Sequence, residues 1–216
     1  MSLATETIYK KIRRDIVTSK LNPGDRLKIN DCAARHGTSA TPVREALQKL
    51  TNEGLVENKP NSGFTVIRHT LKDLNELLQV RNILELAALS FSANKISEVQ
   101  LNELEDVHAP FSGCDDESLE RYMDENRNFH YLLAKASGNE KLTELIGQIL
   151  DRLGRFMVMF GEDDKMAKNH QKIINYLRLK DFDGAKNELE QHVNSTKQFV
   201  LDAVINVESN NWHIKA

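Results

Sequence analysis

Strand signals in this chain are confined to one short segment, and this restricts the fold more than any other feature. Residues 55–58 and 64–68 are short β-type runs, and a turn containing Pro60 and Gly63 lies between them. No strand pattern follows the hairpin in the remaining two thirds of the sequence. The chain is therefore predicted to be mainly α, with a single small β-hairpin near its N-terminus.

Three helical segments precede the hairpin. Residues 5–19 form the first, in which isoleucines recur at intervals of four, the spacing of one helix face. A Pro-Gly turn at 23–24 ends it, and a short helix over 30–36 follows. The third helix has Pro42 in its first turn, where the missing N–H costs nothing, and stops before Gly54. This order predicts a winged helix-turn-helix, in which the third helix presents its N-terminal residues to the major groove of DNA.

The rest of the chain carries helical patterns only, with glycines at or near the breaks. Helices of this length can form a bundle that encloses an interior cavity. The sequence thus predicts two domains, a winged helix-turn-helix over 1–69 and an all-α bundle over 70–216. The six helices expected in the bundle cover roughly 71–94, 97–109, 117–136, 140–160, 163–179 and 182–207.

The charge of the chain divides at the same place. Residues 1–69 carry 12 Lys and Arg against 7 Asp and Glu, a net charge of +5, whereas residues 70–216 carry 17 against 25, a net charge of −8. A basic first domain favours a polyanion as its partner. No apolar run reaches the roughly 18 residues of a membrane span, and no signal-peptide pattern opens the chain. We therefore expect a cytoplasmic protein with no membrane partner.

Several motifs, separated along the chain, resemble the motifs of one protein family and occur in the same order. The stretch from "LNPGDRL" through "HGTSATPVREAL" to the hairpin resembles the winged helix of the GntR family of bacterial transcription regulators. The motifs "VRNILE" (80–85), "NRNFHYLLAKASGN" (126–139) and the segment 170–192 resemble the FCD ligand-binding domain of its FadR subfamily, in the six-helix, VanR-like group. The resemblance implies a ligand-responsive repressor, not an enzyme, that binds double-stranded operator DNA as a homodimer.

The resemblance also implies which residues meet DNA. Ser39, Thr41 and Arg44 match family positions that face DNA, and Arg44 can reach a guanine edge or a phosphate. Gly63 permits a tight wing. Each basic side chain has an alternative role on a solvated helix face. The candidate phosphate partners are Lys28, Arg35, Lys49, Lys59 and Arg68.

Two positions depart from the family pattern at the DNA end. Many relatives carry arginine where this chain has Ala40, and a basic residue near Asn30. Without those two contacts, DNA binding remains possible but a different operator is read.

Four polar residues of the helical half suggest a metal site. Asn126 and His130 are four residues apart and leave the same helix face. With His170 and His192 from two later helices, they can converge in a bundle core on a divalent transition metal, which is zinc, nickel, iron or manganese. The three histidines match the family's metal-binding positions. The alternative is ordinary surface or core histidines, and Asn126, where much of the family has Asp, is the weakest ligand.

Arginines suggest how a carboxylate effector is held. Arg81 resembles an arginine that points into the family's effector cavity, and its alternative role is a salt bridge with Glu85. Arg152 is a weaker candidate for the same cavity. Two other functions stay open on the residues alone: a metal-dependent hydrolase that uses the three histidines, and a regulator that senses the metal without an organic effector.

Overall fold

The computed structural model describes residues 2–18, 20–60, 63–92, 95–107, 116–157 and 165–211. The chain divides into two compact units, Met1–Arg68 and His69–Ala216. Helix ends that the sequence places at 94, 109, 160 and 163 lie outside the described residues. Each unit has its own apolar core among the residues described.

The first unit is built from three helices and a small sheet. The side chain of Ser2 accepts a hydrogen bond from the backbone N–H of Thr5 and so caps the first helix. Gly37 ends the second helix in the left-handed conformation that glycine adopts at little cost. The elements in chain order are α1 (Leu3–Val17), β1 (Arg26–Leu27), α2 (Ile29–His36), α3 (Ala40–Asn52), β2 (Val56–Lys59) and β3 (Gly63–Val66).

The sheet has three antiparallel strands in the order β1-β3-β2. The expected hairpin is present as β2 and β3, in which Val56 pairs with Val66. The sequence missed β1, whose Arg26 pairs with Thr65 of β3. Two residues are too few to show an alternating pattern, so this strand exists only because β3 returns beside it. The mainly α fold class with a winged helix-turn-helix is confirmed.

The core of the first unit follows the predicted helix faces. Ile8, Ile12 and Ile16 of α1 are at most 4% exposed, and they share a cluster with Leu47 and Leu50 of α3, which are fully buried. Burying a side chain of this size contributes about 1.5–3 kcal/mol. The core therefore holds α3 with one face inward and the opposite face toward solvent.

The second unit contains six helices within the described residues, as the sequence predicts. The helices are α4 (Leu71–Ser92), α5 (Glu98–Asp106), α6 (Asp116–Lys135), α7 (Glu140–Met157), α8 (Lys165–Arg178) and α9 (Phe182–Asn211). In this unit α9 packs against α4 and α8, and α6 packs against α4 and α7. No helix in the described part of the chain is long and apolar enough to span a membrane.

The core of the second unit surrounds several polar side chains. Phe129 and Leu133 of α6 cluster with Ile173 of α8 and with Leu189 and Val193 of α9, all at most 2% exposed. Charged and polar residues of α4, α6, α8 and α9 are buried in the same unit. Buried polar groups are costly unless they find partners, so these residues are candidates for a binding site.

Candidate nucleic-acid interface and candidate metal centre

Helix α3 exposes polar side chains at its start and along one face. Ser39 precedes the helix, is exposed and makes no side-chain capping hydrogen bond. Thr41, Arg44 and Gln48 are also exposed. Arg44 and Gln48 are one helical turn apart and therefore point to the same side. The solvent face of α3 thus offers hydrogen-bonding groups of the kinds that read base edges.

A groove of 640 Å³ lies along this face of the first unit. Its walls come from β1, the start of α2, the exposed face of α3 and the β2–β3 hairpin. Cations and amides dominate its polar lining, although the carboxylate of Asp31 also lies there, 3.9 Å from the ammonium of Lys28. The polar and glycine residues that line it, apart from Asp31, are Arg26, Lys28, Asn30, Arg44, Gln48, Asn58 and Gly63.

The groove contains some of the predicted DNA contacts and adds others. Lys28, Arg44 and Gly63 line it together, whereas Arg35, Ser39 and Thr41 are exposed but outside its lining. Lys59 and Arg68 are exposed on or after the hairpin. The groove residues that the sequence missed are Arg26, Gln48 and Asn58.

These three residues differ in how they could have been found. Gln48 was predictable, because it lies one helical turn after Arg44 and therefore on the same face of α3. Arg26 and Asn58 enter the groove only through the pairing of their strands with β3.

Lys49 lies elsewhere on α3. Its ammonium is 3.5 Å from Oε2 of Glu6 and 3.5 Å from the ring centroid of Tyr9, both on α1. Lys49 is thus a predicted phosphate contact that lies away from the groove and has partners inside the unit. The i+5 position from Arg44 turns Lys49 away from the groove.

Three histidines of the second unit meet in its interior. His130 lies on α6, His170 on α8 and His192 on α9, and each is at most 5% exposed. The Nε2 atom of His192 is 3.2 Å from Nε2 of His130 and 3.1 Å from Nε2 of His170. Asn126, one turn before His130 on α6, is also buried. The structure thus brings all three predicted histidines to one point.

The spacing of the three nitrogens suits a shared cation. Metal–imidazole bonds of about 2.0–2.1 Å at tetrahedral or octahedral angles separate the ligand nitrogens by about 2.9–3.4 Å. The observed separations of 3.1 and 3.2 Å fall within this range. Phe129 stacks on the ring of His170, with centroids 3.8 Å apart and planes 5° from parallel, which orients that imidazole.

An ion pair lies behind His130. Oε2 of Glu85 is 2.8 Å from Nδ1 of His130, and Oε1 of Glu85 accepts a hydrogen bond of 2.6 Å from Nε of Arg81. All three side chains are at most 2% exposed. Glu85 is the site residue that sequence reasoning used only as an alternative partner for Arg81. Its contact with His130 joins α4 to α6.

Burial and charge set the protonation states of this group. Burial by itself raises the pKa of the Glu85 carboxyl, but the Arg81 guanidinium and His130 outweigh it and bring that pKa down to about 2. Burial lowers the pKa of His130, opposed only in part by Glu85. The imidazole is therefore neutral near pH 7, which is the form that binds metals.

The two predicted effector arginines have opposite environments. Arg81 is 1% exposed, and its Nη1 and Nη2 atoms have no hydrogen-bond partner among the described residues. Arg152 is exposed on α7, so the structure does not bring it into the interior with Arg81. An interior site for an anion therefore rests on Arg81.

Comparisons with known proteins agree with this architecture. Residues 4–66 match the model described as bacterial regulatory proteins, gntR family, and residues 76–195 match the FCD domain. RspR, an HTH-type transcriptional repressor of Escherichia coli, is 26% identical over 96% of this chain and 92% of its own length. YdhC, an uncharacterised HTH-type regulator of Bacillus subtilis, is 27% identical over 86% of both chains.

A solved structure shows the same fold. McbR/YncC of Escherichia coli superposes with a TM-score of 0.71 at 24% identity, covering 94% of this chain and 99% of its own. The relatives are transcription regulators and not enzymes, which removes the hydrolase from the open alternatives. With both domain models matched in order, the chain belongs to the GntR family of DNA-binding transcription regulators and carries an FCD domain behind its winged helix.

Proposed function

We propose that this regulator is a ligand-responsive repressor whose helical unit binds one divalent transition metal and a small carboxylate effector. The observation that carries the proposal is the convergence of three buried imidazole nitrogens from α6, α8 and α9. Three imidazole nitrogens buried this close together are costly unless their lone pairs are all used. A metal ion accepts all three lone pairs at once and offsets that cost.

His130, His170 and His192 would hold the metal through Nε2, with Asn126 one turn before His130 on α6. An amide oxygen is neutral, so the site would carry the full charge of the ion. The metal, when bound, would supply a positive charge and open positions for an anionic ligand. Imidazole ligation suits zinc, nickel and iron, whereas manganese, the fourth candidate, prefers oxygen ligands, of which only Asn126 is proposed here.

Arg81 supports a carboxylate as the effector. Its Nε donates a hydrogen bond to Glu85, whereas Nη1 and Nη2 remain buried without partners in the described part of the chain. A carboxylate can accept from both of these nitrogens in a bidentate pair. The salt bridge with Glu85 and the effector contact are therefore compatible roles for the same guanidinium.

The effector would act on DNA binding by shifting a population of bundle conformations. We propose a homodimer, because two winged helices are needed for paired half-sites of an operator. The name of RspR, a transcriptional repressor, supports repression as the mode of action. An effector regulates only if it binds one conformation of the bundle more tightly than the other.

The test is the metal content of tag-free protein purified without chelator, compared with a His170→Ala variant. We expect about one equivalent of a transition metal per parent chain and a small fraction of that in the variant, because removing one of three ligands weakens binding steeply. His36→Ala, which removes a histidine of α2 in the other unit, is the matched control and should retain the metal. Elemental mass spectrometry gives the stoichiometry, and circular dichroism checks that each variant is folded.

Two results would change the proposal. If parent and His170→Ala are equally empty after incubation with zinc and nickel salts, the three histidines hold no metal. If metal alone changes affinity for operator DNA and no carboxylate has a further effect, the chain is a metal sensor without an organic effector.

A further inference from the structure

The Glu85 carboxylate lies between the two parts of the proposed site. One oxygen accepts a hydrogen bond from Arg81, the candidate effector contact, and the other is within hydrogen-bond distance of His130, a candidate metal ligand. We propose that Glu85 is a positioning residue that sets the tautomer of His130 and the orientation of Arg81 at the same time. This inference rests on the function proposed above for the same site.

Glu85 affects which ring nitrogen of His130 carries the hydrogen. A neutral imidazole carries one N–H, and an ionised carboxylate can only accept hydrogen bonds. Oε2 of Glu85 lies 2.8 Å from Nδ1 of His130 without an aligned hydrogen bond, and the charge of a carboxylate this close to Nδ1 favours the tautomer with the hydrogen on that nitrogen. Nε2 is then left with its lone pair facing the other two histidines. Carboxylates hold metal-binding histidines in this way in many proteins.

Glu85 also determines which nitrogens of Arg81 stay available to a ligand. Arg81 and Glu85 are four residues apart on α4, so their side chains meet on one helix face. The bond from Nε to Oε1 fixes the plane of the guanidinium and leaves Nη1 and Nη2 for another partner. A planar fork held at one nitrogen is pre-organised to bind a carboxylate.

One carboxylate thus links a residue of α4 to a residue of α6. A carboxylate bound at Nη1 and Nη2 of Arg81 and a metal bound at Nε2 of His130 would each be in contact with a residue that Glu85 also contacts. If carboxylate binding changes the affinity for the metal by a given factor, linkage requires that metal binding changes the affinity for the carboxylate by that same factor. Glu85 is the shared group through which this coupling passes.

The test is a Glu85→Gln variant of the full chain. Arg81 Nε and His130 Nδ1 both need an acceptor, but an amide offers one oxygen and one NH₂ group, so one of the two contacts is lost. Nitrogen NMR of metal-free protein labelled at histidine should show His130 protonated on Nδ1 in the parent and partly or wholly on Nε2 in the variant. Competition with a chromogenic chelator should show zinc affinity reduced by about 10–100-fold.

Asp151→Asn is the matched control. It removes the charge of another carboxylate in the same unit, which pairs with Arg127 between α6 and α7. It should leave both the His130 tautomer and the zinc affinity unchanged. Glu85→Asp is a second variant for the case that Glu85→Gln does not fold. It keeps the buried charge but shortens the side chain, and it should shift the tautomer in the same direction.

The outcomes separate this inference from the proposed function. The inference is overturned if His130 of the parent carries its hydrogen on Nε2, or if both Glu85 variants leave its tautomer unchanged. A parent that binds no zinc, but whose His130 tautomer responds to Glu85→Gln, contradicts the metal function and supports the positioning role. A tautomer shift together with weaker zinc binding supports both.

Discussion

An Arg81→Met variant should lose about 3–5 kcal/mol of its free energy of unfolding. The reason is that Arg81 and Glu85 form an ion pair in which both side chains are at most 2% exposed. Removing the cation leaves the Glu85 carboxylate buried, with the neutral His130 as its close partner. An uncompensated buried charge costs far more than a lost surface contact. Urea unfolding followed by circular dichroism, with a transition for each unit, measures the loss.

Two further variants test the cause of that loss. Arg127→Met breaks a pair whose side chains are 28% and 16% exposed, so the remaining carboxylate can reach water and the cost should be smaller, about 1–2 kcal/mol. The double variant Arg81→Met with Glu85→Leu removes both buried charges and should recover part of the loss, because an apolar pair needs no charge compensation. Equal losses for Arg81→Met and Arg127→Met would contradict the account of a buried, costly charge.

Replacing Arg44 by alanine should weaken operator binding by about 1–3 kcal/mol, or about 5–150-fold, and relax the preference at one base pair. Arg44 is exposed on α3 and lines the groove of the first unit together with Lys28 and Arg26. Alanine at Lys28 or Arg26 should instead weaken binding to all sequences alike. Each should also reduce the slope of log affinity against log salt by about 1.

Fluorescence anisotropy on duplexes selected from a random pool measures both the preference and the salt slope. Lys49→Gln is the control on the same helix, because the Lys49 ammonium contacts Glu6 and Tyr9 within the unit. It should leave affinity and salt slope nearly unchanged. If Lys49→Gln and Arg44→Ala weaken binding equally, the groove does not describe the DNA-binding face.

Much of the helical architecture was predictable because helices depend on local periodicity. The isoleucines of α1 repeat every four residues and are buried, and Pro42 lies in the first turn of α3. Hydrophobic spacing and turn signals act over a few residues, so they can be read without knowing where the chain returns. The sequence also indicated the three histidines, whose separation along the chain gave no distance between them.

The contacts between distant segments required the tertiary structure. Strand β1 exists only beside β3, about 38 residues later, and its Arg26 reaches the groove for that reason. Lys49 and Arg44 lie on one helix, yet only the packing of α1 shows that the Lys49 ammonium contacts residues of α1.

At the candidate site, too, local sequence patterns and tertiary packing supplied different information. The sequence by itself determined the helices that carry Arg81, Glu85, His130, His170 and His192. The tertiary structure decided that three imidazoles meet at 3.1 and 3.2 Å and that Glu85 contacts both Arg81 and His130. The face of a helix on which a residue lies can be predicted from its neighbours in the chain. Distances across a bundle depend on how whole helices pack, which no local pattern records.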